Sequence, residues 1–526
     1  PVLFQRLSAA KAARPGMKVV NIDPRRTATS ALADLHLAIA PGADVALFNR
    51  LLAAAAARGA VDESYVAAHV SGFDDALIAA QAGGCETGLD EADLRAFLDL
   101  WIETEKVVTV YSQGVNQSTS GADKVNAILN CHLATGRIGR PGMGPFSVTG
   151  QPNAMGGREV GGLSNMLAAH LDLEDAEHRE AVRRFWRAPR VAAKPGLKAV
   201  DLFRACADGR IKALWILSTN PAVSMPDADR VAAAIAAVPF TVVSDMFADT
   251  DTARLAHVLL PAAGWGEKSG TVTNSDRTVS RQRAFLKPPG EARPDWRAIS
   301  DVAAAMGWGA AFDYASPAEI FREHAALSAV AAGLGRDFDL SAFAGIDEDA
   351  YAAFEPARWP LSKARRGGRF FGEGGFFTPD RKARMLALTP RPLAAETTAE
   401  RPFRLNTGRA RDHWHTMTRT GRTPRLSRHI AEPYLEIHPA DAARVGLRPA
   451  EIAEVSAPEG RFLARALVTE RAAKGSVFAP MHWTGVYASA GRADAAVAAA
   501  VDPVSGQPEL KGAAVAVARF PAAWHA

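Results

Sequence analysis

Short apolar runs alternate with amphipathic stretches over most of the chain. Residues 2–13 carry a helical spacing and lead through Pro15–Gly16 into "MKVVNID" (17–23). That run reads as a buried parallel strand ending on a carboxylate. A polar loop, a short strand at 36–39, a Pro-Gly turn and a helix follow. The series resumes at "EKVVTVYSQGVNQSTSG" (105–121) and "IKALWILSTNPAVSMPD" (211–227), where an apolar run again enters a polar loop. Within 239–277 a strand ends at Ser244–Asp245, and the pattern predicts a helix, a strand at 257–260 and a Gly-rich loop. Strands alternating with helices predict mostly parallel sheets, whose ligands sit beyond the carboxyl ends of the strands. The first strand of the opening βαβ unit is expected upstream of residue 1, so the chain reads as opening inside a domain.

The pattern changes in the last quarter. Residues 355–398 are rich in Pro, Gly and Arg without a sustained period and read as a connection. From 399 to 526, "RPFRLNTGR", "YLEIHPADAARVGL", "EIAEVSAPEGRFLARALVTE" and "KGSVFAPMHW" are short strands between turns, which predicts a compact β-barrel. The expected fold class is therefore α/β. Mostly parallel Rossmann-like sheets form two interleaved domains (1–110, truncated, and 111–354), and a C-terminal β-barrel follows.

Composition narrows the function. The chain has 526 residues, 48% hydrophobic and 22% charged, with 61 basic against 57 acidic side chains, a surplus of 61 − 57 = +4. No basic run accompanies that surplus, so no nucleic-acid partner is expected. No window approaches the length of an apolar membrane span. The three cysteines, Cys85, Cys131 and Cys206, are too far apart in sequence for a metal-binding pair, and each reads as a small buried apolar residue.

The strand-end loops hold Asp23, Asp44, Gln113, Gln117, Asn220, Ser244, Asp245 and Lys268. These are hydrogen-bonding groups for a large polar ligand, with no nucleophile–base pair among them. Nucleophile-elbow, Walker A and G-x-G-x-x-G motifs are absent. A strand-end carboxylate can bind a ribose hydroxyl or the guanine edge, and Gly-rich turns admit a diphosphate. Lys268 and Arg409 can add charge to those phosphates. "TGRARDHWHTMTRTGR" (407–422) sets His413, Trp414 and His415 among four arginines. No third ligand lies nearby, so phosphate binding is expected there and metal binding is not. "TGQPNAMGGREVGG" (149–162) has five glycines, neither helical nor strand period, and an adjacent Arg158–Glu159 pair.

These stretches, with "NIDPRRTAT", the run from Tyr111 to Gly162, "SDMFADTDTARLAHVLLPAAGWGEKSGTVTNSDR" and "VDPVSGQPELK", resemble the molybdenum enzymes that carry a bis-molybdopterin guanine dinucleotide cofactor. Within that family they are most similar to the catalytic subunits of bacterial assimilatory nitrate reductases. The resemblance implies a double-psi barrel that binds the dinucleotide and closes over the cofactor. It implies cofactor contacts at Asn21, Ile22, Asp23, Pro24, Arg25, Gly42, Ala43, Asp44, Gln113, Gln117, Asn220, Ser244, Asp245, Lys268 and Asp295. Thr407, Gly408, Arg409, His413, Trp414, His415, Thr416 and Lys511 complete that set. It places 149–162 over the metal, with Arg158 facing the substrate funnel and Met155 lining the pocket. Glu159 would orient Arg158 or relay protons, and the glycines would let backbone approach the pterins.

The resemblance also implies nitrate as substrate, a cytoplasmic location and an electron donor that is a ferredoxin, a flavodoxin or NADH-linked. The family's four-cysteine 4Fe–4S motif and its molybdenum-ligating cysteine are not in this sequence, so no metal ligand is assigned and the chain alone is expected to be inactive. Formate dehydrogenase, which shares the cofactor loops, and a non-catalytic cofactor-binding remnant are the alternatives. A nicotinamide dehydrogenase is disfavoured by the missing glycine fingerprint.

Overall fold

The computed structural model describes residues 2–83 and 86–522. Cys85 lies outside the described residues. Among them, no helix is long and apolar enough to cross a membrane.

The first α/β unit starts with the helix Val2–Ala13 and the parallel pair β1 (Val20–Ile22) and β2 (Leu35–Leu37). Asp44–Ala57 forms a helix because Leu47, Leu51 and Ala55 recur at four-residue spacing, and that face is buried. It packs with the helix Gly121–Ala134, whose Ile128 and Cys131 join the same core. Each leucine so buried contributes about 2 kcal/mol. A short strand β3 (Val70–Ser71) and the parallel pair β4 (Val108–Tyr111) and β5 (Gly144–Ser147) complete this unit.

The second unit is built on a parallel sheet in the order β6 (Ala213–Leu217), β7 (Phe240–Asp245), β8 (Val258–Pro261). Cys206 is buried beneath it, as Cys131 is in the first core. Two expectations are corrected here. The helix expected after Asp245 is a loop with one 3-10 turn, Ala253–Leu255. Its polar side chains bond the backbone locally, as Thr250 does with the Ala253 N–H (3.1 Å), and they compete with a helical ladder. The Gly-rich loop contains an antiparallel hairpin, β9 (Gly270–Thr273) and β10 (Thr278–Gln282), closed through Asn274 and Arg277.

The connection is woven into both units. β11 (Ala357–Arg358) pairs with β10, and β12 (Ala383–Arg384) lies parallel to β3. Ala383, Met385 and Leu388 belong to the first core, so the chain returns to its opening unit before entering the barrel.

The barrel closes in the order β13 (Phe403–Gly408), β17 (Ser476–Pro480), β14 (Tyr434–Ile437), β16 (Gly460–Val468), β15 (Ile452–Ala457), β18 (Ala513–Arg519). Alternate residues Phe403, Leu405, Leu435, Ile437, Val455 and Val515 point inward. The barrel docks through Glu509, which accepts from the Thr119 N–H (3.0 Å), its hydroxyl (2.6 Å) and the Ala394 N–H (2.9 Å).

Candidate functional site

A cavity of about 1250 Å³ runs between the first α/β unit and the barrel. One wall is the carboxyl end of β1. Asp23 accepts from the Arg25 N–H (2.9 Å), and burial raises its carboxyl above the usual range. Arg25 is held by both Glu436 oxygens at 3.0 Å and lies 3.6 Å over the Phe478 ring, so its guanidinium ties the loop to the barrel. The Pro41–Gly42 turn, with Gly42 at φ +91°, delivers Asp44 to the start of its helix. Ala43 is buried beside it.

Asp44 pairs with Lys124 at 2.8 Å, and Lys124 is only 2% exposed. Lys124 was not among the residues singled out from the sequence. Its signal is a lone lysine on the apolar face that carries Ile128 and Cys131, a position lysine occupies only when paired. Arg404, on β13, also lines the cavity unannounced. Where Gln113 and Gln117 were expected, the wall is Ser112, Gly114, Val115 and Ser118.

The barrel side is Asn406, Thr407, Gly408, Arg409 and Lys511. Lys511 donates to the Thr407 carbonyl, and burial brings its ammonium down to about 8 against the opposing pull of Asp494 and Asp23. His413 is buried and both ring nitrogens are engaged within the fold, with the Thr420 hydroxyl and the Ile430 carbonyl (both 2.8 Å). It braces the 407–422 loop. Trp414 lies beneath the Arg409 guanidinium (4.6 Å) with the His415 ring edge-on (4.5 Å). Thr416 is half-buried nearby.

The remaining sequence-derived residues form a second cluster beyond β6 and β7, and none of them lines the large cavity. Ser244 Oγ accepts from Trp215 Nε1 (2.9 Å). Asn220 Oδ1 accepts from the N–H (3.1 Å) and hydroxyl (2.7 Å) of Thr252. Burial raises the Asp245 carboxyl. Lys268 pairs with Asp295, whose buried Oδ1 has no partner among the described residues.

The 149–162 segment is better ordered than its composition implies, because Ala154–Glu159 forms a helical turn. Arg158 is exposed and makes no ion pair among the described residues. The expectation that Glu159 holds Arg158 is corrected. Glu159 is 2% exposed and accepts from Trp359 Nε1 and Thr273 Oγ1, both at 2.6 Å. Successive helical residues lie about 100° apart, so the two side chains face different surroundings.

The glycines divide in the same way. A Cβ on Gly161 (φ +72°) would meet the Ala168 N at 2.6 Å, and one on Gly162 the Gly157 O at 2.7 Å, so these two serve the segment's own packing. Gly157 has open space. Met155, Trp414 and Arg419 border a second pocket of about 600 Å³ in front of this segment.

Nine cations, Lys124, Arg404, Arg409 and Lys511 among them, and two carboxylates (Asp23, Asp44) thus line one cavity, and an unpartnered Asp295 oxygen marks the other cluster. That donor set fits a nucleotide diphosphate with a hydrogen-bonding base. Among the described residues, no group of three or more His, Cys, Asp or Glu is placed to hold a metal ion.

The relatives agree with this chemistry. The family model "Molybdopterin oxidoreductase" matches residues 1–305, and "Molydopterin dinucleotide binding domain" matches residues 403–514. A nitrate reductase of Klebsiella oxytoca is 49% identical over 529 residues, covering 100% of this chain and 60% of that protein. The chain therefore spans about three fifths of that relative's length. The F420-dependent formate dehydrogenase subunit alpha of Methanocaldococcus jannaschii is 31% identical, covering 99% of this chain and 74% of that protein. In fold, the acetylene hydratase of Pelobacter acetylenicus superposes with a TM-score of 0.76 at 18% identity, over 98% of this chain and 76% of that one. With these matches over residues 1–305 and over the barrel that closes the large cavity, this chain belongs to the molybdopterin oxidoreductase family.

Proposed function

We propose that this chain is the cofactor- and substrate-binding part of a molybdenum-dependent reductase that converts nitrate to nitrite. The observation that carries the reading is Arg158, an exposed guanidinium that makes no ion pair among the described residues, set one helical turn from Met155, which lines the smaller pocket. A planar oxyanion suits such a fork. Lys124, Arg404, Arg409 and Lys511 would hold the diphosphate of one pterin dinucleotide, and Asp23 and Asp44 its polar head. Asn220, Ser244, Asp245, Lys268 and Asp295 would hold the second. When bound, the bis-molybdopterin guanine dinucleotide supplies the two-electron, oxygen-accepting chemistry.

The chain's residues bind and orient. Arg158 draws nitrate in and stabilises charge on its oxygens. Met155 keeps the approach apolar and excludes water. Glu159, buried and kept above the usual carboxylate range, fixes the helical turn through Trp359 and Thr273. The 4Fe–4S cluster and the electron-donor protein belong to the same proposal, with ligands other than residues of this chain.

The test uses the full-length protein containing this chain, produced in a host that makes the cofactor. Reduced viologen should drive nitrite formation, and Arg158→Ala should lower kcat about 100-fold with molybdenum content unchanged. Molybdenum-loaded protein that leaves nitrate untouched would overturn the reading. The match of 99% of this chain to a formate dehydrogenase subunit makes formate the second substrate to assay.

A further inference from the structure

The 600 Å³ pocket has thirteen lining residues, and one of them, Arg419, is charged. The rest are neutral. Gln151, Asn153 and Asn274 contribute amides, and Thr149, Thr273 and Ser275 contribute hydroxyls. Arg419 is exposed, and its one side-chain hydrogen bond is to the carbonyl of its own neighbour Thr418 (3.3 Å). No carboxylate pairs with it among the described residues. Other arginines of the same loop are engaged: Arg411 by Asp412, Arg422 by Asp249. Arg409 leans over Trp414 and also has no carboxylate partner among the described residues, and its Nη1 lies 3.7 Å from the point where a Cβ on Gly150 would stand. Around this pocket the 407–422 loop therefore places positive charge beside the neutral segment 148–155, and no lining residue carries negative charge. Met155 sits in the wall, one turn before Arg158.

An uncompensated guanidinium over a polar, neutral wall concentrates small anions and raises their rate of arrival. We propose that this pocket is an antechamber for a small inorganic oxyanion, with Arg419 as the capturing residue that hands the anion on towards Arg158. The inference deepens the proposed function and rests on its reading of Arg158 as substrate-facing. Arg419 is a binding residue at the entrance and takes no part in the chemistry.

Two experiments test it. In the cofactor-loaded full-length protein, Arg419→Gln should raise the KM for nitrate roughly tenfold while kcat moves little, and should flatten the fall of kcat/KM with added salt. Arg419→Lys should recover most of the loss, because it restores the charge. Arg158→Ala should instead lower kcat. An Arg419→Gln enzyme with unchanged KM and salt dependence would overturn the proposal. So would one that loses its molybdenum, since Arg419 would then belong to the cofactor's seat.

The second experiment needs no turnover. Iodide quenching of Trp414 fluorescence, taken as the difference from Trp414→Phe, should weaken severalfold in Arg419→Gln, with quenching by neutral acrylamide unchanged. Equal iodide quenching in the two proteins would overturn the antechamber. If the wild-type enzyme ignores nitrate, the proposed function fails by itself, and the iodide result still decides whether the pocket collects anions.

Discussion

Arg158 and Glu159 are covalent neighbours with opposite fates. Arg158 stays exposed and unpaired, whereas Glu159 is sealed against Trp359 and Thr273. Burial raises the Glu159 carboxyl in the folded protein. A glutamate whose folded value lies above its unfolded one favours the fold below the ordinary glutamate range. It loses that contribution as pH rises through the raised value. Glu159→Gln should remove this slope, because the amide still accepts from Trp359 and can donate to Thr273. Urea midpoints of the two proteins should therefore converge at acidic pH, and the variant should be the more stable at neutral pH. A parallel pH profile for both proteins would refute the assignment.

Elements decide what each glycine and each buried charge is for. Gly157 has ordinary backbone and open space for a side chain, whereas Gly161 does not. Gly161→Ala should cost about 2 kcal/mol in denaturant unfolding, from left-handed strain and a backbone clash. Gly157→Ala should fold as well as the parent, since alanine favours the helical turn. If the open side of this turn faces the cofactor, that variant should hold less molybdenum at unchanged stability. On the helix Gly121–Ala134, Lys124 is the buried half of an ion pair with Asp44. Lys124→Ala leaves the Asp44 carboxylate without its cation at the cavity wall and should cost about 3 kcal/mol, read from the same unfolding curves.

At the scale of the molecule, the barrel is locked onto the α/β units by a few polar clasps. Glu509 bridges Thr119 and the connection at Ala394, and Arg25 reaches from β1 to Glu436 on the barrel. Glu509→Ala removes the acceptor shared by Ser118, Thr119 and Ala394 and should loosen the connection. Limited proteolysis within 355–398 should then run severalfold faster, while β13–β18 stays intact. A cleavage rate equal to the parent's would place the lock elsewhere. Arg25 also lines the 1250 Å³ cavity between these parts, so added cofactor should slow cleavage of the parent protein.

Local signals along the chain determined the element types. Val20–Ile22, Val108–Tyr111, Ala213–Leu217 and Phe240–Asp245 are strands because their apolar runs end in turn chemistry, and the barrel is legible in its alternating residues. The sequence also determined which residue types crowd the strand ends. Tertiary structure alone decided which of them meet. β12 returns to the first core because a two-residue strand has no period to read, only a partner at β3. The split between the large cavity and the Asn220–Asp295 cluster depends on sheets brought together from distant segments. Lys124 could be paired only once the helix carrying it met the one starting at Asp44. His413, read as a ligand-binding side chain, became a brace because Ile430, seventeen residues on, came within reach of its ring. Helical and strand periodicity are encoded within a few residues, whereas the partners of a buried polar group come from wherever the fold places them.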